Sequence, residues 1–254
     1  IIVMEEIDEI EIAIRLSRSK GVGASGFKKL IDIYGLPSKA NEIWLEKQAE
    51  RRLSKVSICK NCSEAQIKST MDYIRESKCI ARYYGQVGYP EQLNVLTEPP
   101  PIVYMTSKMK SMPLAAVVGS RKTDAVSISK AKAYTEKLIN EGYGIISGGA
   151  VGIDTIAHET AIENNAYTVA VLANGIDMVY PSINREMFEK IKERGILITE
   201  LMVGTKPYKS FFPTRNRLVA AMADLIVAFP AANSCGTIIT VNWGRKLGKK
   251  VISE

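Results

Sequence analysis

From residue 114 onward, short apolar runs alternate with longer segments whose apolar residues recur every three or four positions. Short apolar runs between turn residues are typical of buried strands, and the longer spacing is typical of amphipathic helices. We predict strands over 114–118, 143–146, 167–172, 196–198, 225–229 and 250–252, and helices over 127–140, 154–163, 185–194, 214–223 and 237–247. This alternation indicates βαβ units with right-handed crossovers. The predicted fold class is therefore α/β, with a Rossmann-like, doubly wound, mostly parallel sheet.

The preceding part of the chain has a different pattern. Residues 1–80 carry apolar residues at helical spacing, such as Phe27 and Ile31, and we predict a small all-helical N-terminal domain there, of SAM-like or helix-hairpin-helix-like type. Residues 81–113 contain five prolines, which disfavour a long helix, so we predict an irregular connecting segment. The Rossmann-like domain then occupies 114–254.

Charge adds a class of partner to this picture. The 254 residues include 34 Lys+Arg and 27 Asp+Glu, which gives a net charge of +7. Residues 13–80 hold 14 of the basic side chains against 7 acidic ones. This balance favours a polyanionic partner without identifying it.

Several classes of protein are disfavoured. The longest apolar stretch, 218–232, contains Asp224 and Pro230, so no segment reaches the ~18–20 residues that a membrane-spanning helix needs. The N-terminus is acidic, whereas signal and transit peptides are basic. Four cysteines are too few for a disulfide scaffold, and the Cys59/Cys62 pair has no second pair to complete a zinc site. We expect a cytoplasmic protein without a membrane segment, metal or cofactor.

Two loops at predicted strand ends, where ligands of such folds bind, carry phosphate-binding chemistry. The first is Gly119-Ser120-Arg121, in which a hydroxyl and a guanidinium suit phosphate. The second is 147–154, Ser-Gly-Gly-Ala-Val-Gly-Ile-Asp, between a strand and a helix. The backbone N–H groups of its residues can converge on an anion at the helix N-terminus, namely those of Gly148, Gly149, Ala150 and Gly152. The glycine spacing is not that of a dinucleotide-binding loop, so it indicates general phosphate binding.

Two polar residues near the glycine loop have structural roles as their simplest interpretation. Asp154 is placed to be the N-cap of the following helix. His158 lies on the same helical face, and we expect a packed or hydrogen-bonded histidine rather than a ligand contact.

The segment 205–217 interleaves lysines with aromatic residues, which suits single-stranded nucleic acid. Its candidate contacts are Lys206, Lys209, Phe211, Arg215 and Arg217. Residues two apart on a helix point about 200° apart, so we expect one arginine to face the ligand and the other to form an internal ion pair. We expect Asn216 to tie loops together, and one of Phe211 and Phe212 to be a core residue.

A fourth junction, 230–240, is rich in small residues, and we expect Gly236 and Thr237 to position its loop. The same residues raise an alternative function, that of a nucleotide phosphoribohydrolase. Nucleotide phosphoribohydrolases of the lysine-decarboxylase-like group carry a Pro-Gly-Gly-x-Gly-Thr-x-x-Glu loop, which Pro230 and Gly236-Thr237 loosely match. The position of the acid is taken by Thr240, so the group that would stabilise an oxocarbenium-like transition state is missing.

Taken in order, these motifs resemble the DNA-processing protein A (DprA/Smf) family over about residues 85–254. The matching text is GSR at 119–121, SGGAVGID at 147–154 with His158, GIDMVYPSIN at 175–184, ITE at 198–200, FPTRNR at 212–217 and GTIIT at 236–240. Gly88-Tyr89-Pro90-Glu91-Gln92-Leu93 and Pro99-Pro100 resemble the family's lead-in to its Rossmann-like domain.

The resemblance implies a non-catalytic protein that binds single-stranded DNA, protects incoming DNA and loads the RecA recombinase in natural transformation and recombination, as a homodimer. It places the DNA contacts at Ser120, Arg121, the loop 148–152, a lysine of 206–209 and Arg215 or Arg217. One segment departs from the family pattern, and another, near the N-terminus, lies outside it. Pro230-Ala231 and Cys235-Gly236 stand where the family usually has Glu-Ala and Ser-Gly. The text S-K-G-V-G-A-S-G near residue 20 resembles a helix-hairpin-helix turn, whose amides contact DNA phosphate.

Overall fold

The computed structural model describes residues 2–50, 63–230 and 235–254. Four helices come first: α1 (Ile2–Arg18), α2 (Gly23–Tyr34), α3 (Pro37–Glu50) and α4 (Glu64–Arg75). Five helices accompany the sheet: α5 (Ala125–Asn140), α6 (Ile153–Glu163), α7 (Arg185–Arg194), α8 (Phe211–Met222) and α9 (Cys235–Lys246). Cys59, Cys62 and residues 231–234 lie outside the described residues. Within those residues, no helix is both long and apolar enough to cross a membrane.

One eight-stranded sheet organises the molecule. Its strands are β1 (Ile80–Tyr83), β2 (Ile102–Met105), β3 (Leu114–Gly119), β4 (Gly144–Ser147), β5 (Thr168–Val171), β6 (Ile196–Thr199), β7 (Leu225–Phe229) and β8 (Lys250–Ser253). Their order is β1-β2-β6-β5-β4-β3-β7-β8. Strands β3 to β8 are all parallel, and β1 and β2 pair antiparallel at one edge. The prediction of a Rossmann-like, mostly parallel sheet after N-terminal helices is confirmed.

The helices cover both faces of the sheet. On one face Ala131 of α5 and Ala157 of α6 pack on Val117 and Ile145. On the other, Leu218 of α8 and neighbouring residues pack on the alternate side chains of the same strands, such as Val118 and Ile146. The order places β3 between β4 and β7, so the chain winds away from β3 in two directions, and the carboxyl ends of β3, β4 and β7 form the region where such folds bind ligands.

The N-terminal helices share a core with the sheet. Phe27 of α2 and Met71 of α4 belong to the same apolar cluster as Tyr104 of β2 and Phe188 of α7. Burial of this continuous apolar surface fixes the helical part against the β1–β2 edge.

The prediction that 81–113 is an irregular connection is wrong for the two strands it contains. The register pairs Ala81 with Tyr104 and Tyr104 with Thr199, which adds both strands to the edge of the sheet. Each strand has four residues and β2 directly follows Pro99-Pro100-Pro101, so the prolines obscured its apolar run in the sequence. Antiparallel edge strands also need no crossover helix, the pattern that identified the other strands.

Candidate nucleic-acid interface

Two loops lie side by side at the edge of the sheet where the parallel strands end, which we call the carboxyl edge. They are residues 119–121, after β3, and residues 147–154, after β4, which we call the glycine loop. The N–H of Ser120 donates to the Phe229 carbonyl at 3.0 Å, and the Ser120 carbonyl accepts from the N–H of Ile153 at 3.1 Å. Gly152 has φ +90°, and a Cβ there would lie 2.3 Å from the Ser120 carbonyl oxygen. Only glycine allows this contact, so the loop after β3 is locked to the loop after β4.

Asp154 stabilises the glycine loop from the inside. Its carboxylate accepts from the N–H groups of Gly148 at 3.1 Å and Ala150 at 3.4 Å. The prediction that Asp154 is the N-cap is wrong, because Gly152 holds that position and Asp154 lies in the first turn of α6. Two N–H groups assigned by sequence to an external phosphate therefore bind an internal carboxylate. Burial raises the pKa of Asp154, against the opposing effects of Arg215 and the N–H donors.

The positive charge of Arg215 acts on this carboxylate without an ion-pair contact between the two described side chains. Its side chain is buried, and its guanidinium donates to the carbonyls of Gly148 and Val171 and to the Asn216 side chain. Burial lowers its pKa to about 10, so it remains a cation at neutral pH. A Cβ on Gly148 would lie 2.5 Å from the guanidinium, so Gly148 makes room for Arg215.

Arg217 is also bound internally. It forms an ion pair with Glu200 and donates to the Glu98 carbonyl at 3.3 Å. Burial raises the pKa of Glu200, and Arg217 opposes that shift. The expectation that one arginine of the pair faces the ligand is wrong in this structure: Arg217 has the predicted ion pair, and Arg215 is held behind the glycine loop.

Asn216 and Asn184 connect neighbouring loops. The Asn216 amide donates to the Gly236 carbonyl at 3.0 Å, which ties α8 to the start of α9. Gly236 is exposed and Thr237 is buried. Asn184, which sequence reasoning missed, donates to the Gly149 carbonyl at 3.1 Å and to Thr155 at 2.9 Å. Its place in the motif 175–184 was the available signal.

His158 lies in the core beneath the glycine loop. It is fully buried, and its Nδ1 is 2.7 Å from the Thr168 hydroxyl. That hydroxyl donates to the Ile145 carbonyl, so Nδ1 carries the proton and donates to Thr168. Burial, assisted by the charge of Arg215, lowers the pKa of His158 to about 3. The imidazole is therefore neutral at physiological pH.

Aromatic rings and a free arginine form the outer surface. The exposed Arg121 guanidinium lies 5.3 Å from the Phe212 ring centroid. Phe212 and Tyr180 pack edge-on, with 5.7 Å between their ring centroids. Tyr208 and Phe211 form a second edge-on pair at 5.7 Å. Both phenylalanines are half-buried, so the expectation that one is a core residue is wrong. We call Arg121, Tyr180, Tyr208, Phe211 and Phe212 the aromatic surface.

Lysines flank the aromatic surface. Lys206 and Lys209 are exposed, and within the described ranges neither forms an ion pair. The base of their loop is fixed, since Gln66 of α4 donates to the Val203 carbonyl and to the Thr205 hydroxyl, both at 3.1 Å. The structure thus brings Ser120, Arg121 and the lysine segment to one edge, and places Arg215 and Arg217 beneath it.

Comparison with known proteins supports the resemblance seen in the sequence. The family model described as DNA recombination-mediator protein A matches residues 81–253. Protein Smf of Borreliella burgdorferi is 35% identical over 181 residues, which cover 70% of this chain and 58% of that protein. Protein Smf of Synechocystis is 32% identical over 171 residues, covering 65% of this chain and 43% of the relative. The chain therefore spans about half the length of these curated relatives.

Two solved structures have the same architecture. DNA processing protein A from Helicobacter pylori, described by its single-stranded DNA binding mode, aligns with a TM-score of 0.62 and 26% identity over 70% of this chain and 81% of that one. DNA processing protein A from Streptococcus pneumoniae aligns with a TM-score of 0.72 and 21% identity over 98% of this chain and 84% of that one, which shows the shared fold. Since the family model matches well over half of its residues, the chain belongs to the DNA recombination-mediator protein A (DprA/Smf) family.

Proposed function

We propose that this protein binds single-stranded DNA without catalysing a reaction, protects incoming DNA and loads the RecA recombinase onto it, acting as a homodimer in the cytoplasm. The observation that carries the proposal is the aromatic surface, with Lys206 and Lys209 beside it, at the carboxyl edge of a parallel sheet. Single-strand binding sites combine positive charge along the backbone with rings on which bases stack. The related H. pylori protein, which binds single-stranded DNA, adds support.

The proposed binding mode separates two roles. Arg121, Lys206 and Lys209 bind phosphates, because they are exposed cations without carboxylate partners in the described part of the chain. Tyr180 and Tyr208 offer exposed rings to bases, whereas the guanidinium groups of Arg121 and Arg215 lie over the ring of Phe212. Asp154 and Arg215 fix the loops and do not contact the strand directly.

The test is fluorescence anisotropy with a dT oligomer and a matched duplex across a salt series. Wild-type protein is expected to prefer the single strand and to lose affinity as salt rises. Arg121→Ala is expected to weaken binding about tenfold and to reduce the salt slope by about 0.7, the value for one phosphate contact with a single strand. The matched control is Arg75→Ala, an arginine of α4 paired with Glu11 and remote from the interface.

The proposal is wrong if single strands do not bind, or if binding is indifferent both to salt and to Arg121→Ala. Incubation with AMP tests the phosphoribohydrolase alternative, and release of adenine would support that enzyme instead. RecA loading is tested by filament assembly on single-stranded DNA with and without this protein. Nuclease digestion of bound DNA tests protection, and sedimentation equilibrium tests the homodimer.

A further inference from the structure

The edge of the sheet opposite to the aromatic surface is strongly basic. Because strands β3 to β8 are parallel, their first residues all lie at this edge. Six cations lie there, from the segment before β3, the last turn of α9, the turn that follows it and the start of β8: Lys108, Lys110, Arg245, Lys246, Lys249 and Lys250. We call this set the lysine edge.

The register gives the extent of the lysine edge. Lys250 is opposite Leu225, Leu225 opposite Ala115, Ala115 opposite Ile145 and Ile145 opposite Thr168. Four spacings of ~4.8 Å place the start of β8 about 19 Å from the start of β5. Lys110 marks the far end, since its ammonium lies 5.2 Å from the ring centroid of Tyr167, the residue before β5. Cations therefore lie towards both ends of a row of five strands, Lys246 and Lys250 near β8 and Lys110 near β5.

The six cations have no carboxylate partners among the described residues. Within the described residues, none of the six side chains forms an ion pair, although lysines elsewhere do, such as Lys132 with Glu163 and Lys190 with Glu186. The carboxylates nearby have other partners. Asp224 accepts from the Leu114 N–H at 2.9 Å, and Glu141 lies 3.9 Å from Lys137. Unpaired cations at both ends of one edge attract a polymer of regularly spaced anions that is long enough to reach both.

We infer that the lysine edge is a second contact surface for the phosphate backbone of nucleic acid, distinct from the aromatic surface. The contact is to backbone only, because ammonium groups lie over the two rings identified at this edge: Lys246 is 4.7 Å from the Trp243 ring centroid, and Lys110 covers Tyr167. The inference rests on the proposed single-stranded DNA function in one respect, that the same strand supplies the phosphates. The six residues of β3 span about 20 Å, so only a strand longer than the first site requires reaches both edges.

The test compares dT oligomers of about 8 and about 40 nucleotides by anisotropy across a salt series. The variant neutralises four of the cations: Lys110→Gln, Lys246→Gln, Lys249→Gln and Lys250→Gln. The matched control neutralises four exposed lysines of the helical part, which also form no ion pair within the described residues: Lys29→Gln, Lys39→Gln, Lys47→Gln and Lys68→Gln. Urea midpoints establish that both proteins are folded.

We expect the lysine-edge variant to bind the long oligomer at least tenfold more weakly, with a salt slope smaller by about 2–3, and to bind the short oligomer like wild type. The control is expected to change neither. The inference is overturned if the lysine-edge variant binds the long oligomer with wild-type affinity and salt slope. It is also overturned if the control variant loses as much affinity for the long oligomer, or if the lysine-edge variant loses as much affinity for the short one. Failure of wild-type protein to bind the short oligomer would instead contradict the proposed function, and the long-oligomer comparison would still decide the role of the lysine edge.

Discussion

The buried pair of Asp154 and Arg215 offers a direct test of how the interface is built. Arg215→Met keeps much of the side-chain volume and removes the charge that balances Asp154. Leaving buried hydrogen-bonding groups without their partner costs about 1–3 kcal/mol, and loss of the positive charge that acts on Asp154 adds to this cost. The carbonyls of Gly148 and Val171 lose their guanidinium donor in the same step, so their loss is part of this figure. We expect a fall of that size in the free energy of unfolding.

The assay is urea denaturation of both single variants and of the Asp154→Asn/Arg215→Met double variant. Because the two side chains balance each other, the double variant is expected to lose at least about 1 kcal/mol less than the sum of the singles. Arg75→Met, which breaks a half-exposed pair, is the control and is expected to cost less than about 1 kcal/mol. A loss below about 1 kcal/mol for Arg215→Met, or additive losses in the cycle, would refute the assignment of a coupled buried pair.

The pH dependence of Arg215→Met provides an independent check. Burial already raises the pKa of Asp154, and loss of the arginine raises it further. A carboxyl whose folded pKa is above its unfolded value binds protons preferentially in the folded state, so its contribution to stability rises as pH falls through the folded pKa. The defect of Arg215→Met relative to wild type is therefore expected to shrink as pH is lowered from 7 towards 5.

Two further predictions concern residues beneath the interface. Gly152→Ala places a Cβ at φ +90° about 2.3 Å from the Ser120 carbonyl oxygen, so we expect urea denaturation to show at least about 2 kcal/mol of destabilisation. Gly236→Ala is the control and is expected to change stability little, because no atom of the described residues lies within contact of the added Cβ. Equal effects of the two substitutions would contradict the contact between the loops. The protein has one histidine, so its ring protons are unambiguous in an NMR titration, and with a pKa of about 3 His158 is expected to stay neutral from pH 8 to pH 5. Because its unfolded pKa is about 6.5, the unfolded state binds the extra proton, and stability is expected to fall as pH drops below that value; a titration near pH 6.5 would contradict its burial.

The parallel part of the sheet was predictable, because its strands are short apolar runs separated by helices of ordinary length. The antiparallel strands were not, since Ile102–Met105 has only four residues directly after three prolines, and its partners are β1 and β6. Pairing that far apart in sequence leaves no local periodicity. The position of the candidate loops followed from the rule that ligands bind at the carboxyl ends of parallel strands.

The direction of individual side chains was less predictable. Asp154 fits the preference for acids at a helix start, and that preference does not distinguish an N-cap from a carboxylate that binds the preceding loop. Arg215 is buried because the glycine loop folds over it, a contact across 67 positions. The Tyr180–Phe212 contact likewise joins different motifs, so their individual spacings do not reveal the aromatic surface.

The internal carboxylate separates two accounts of DNA binding at this interface. If charge alone set the affinity, Asp154→Asn would strengthen binding, because it removes a negative charge beneath the glycine loop that acts on Arg215. If the loops must be fixed before the strand arrives, the same change weakens binding, because Asp154 accepts from two N–H groups of the glycine loop and Asn can replace that only in part. We expect weaker binding with an unchanged salt slope, since no phosphate-binding cation is lost. Anisotropy at several salt concentrations distinguishes the two accounts, and tighter binding by Asp154→Asn would show that electrostatic attraction outweighs loop order.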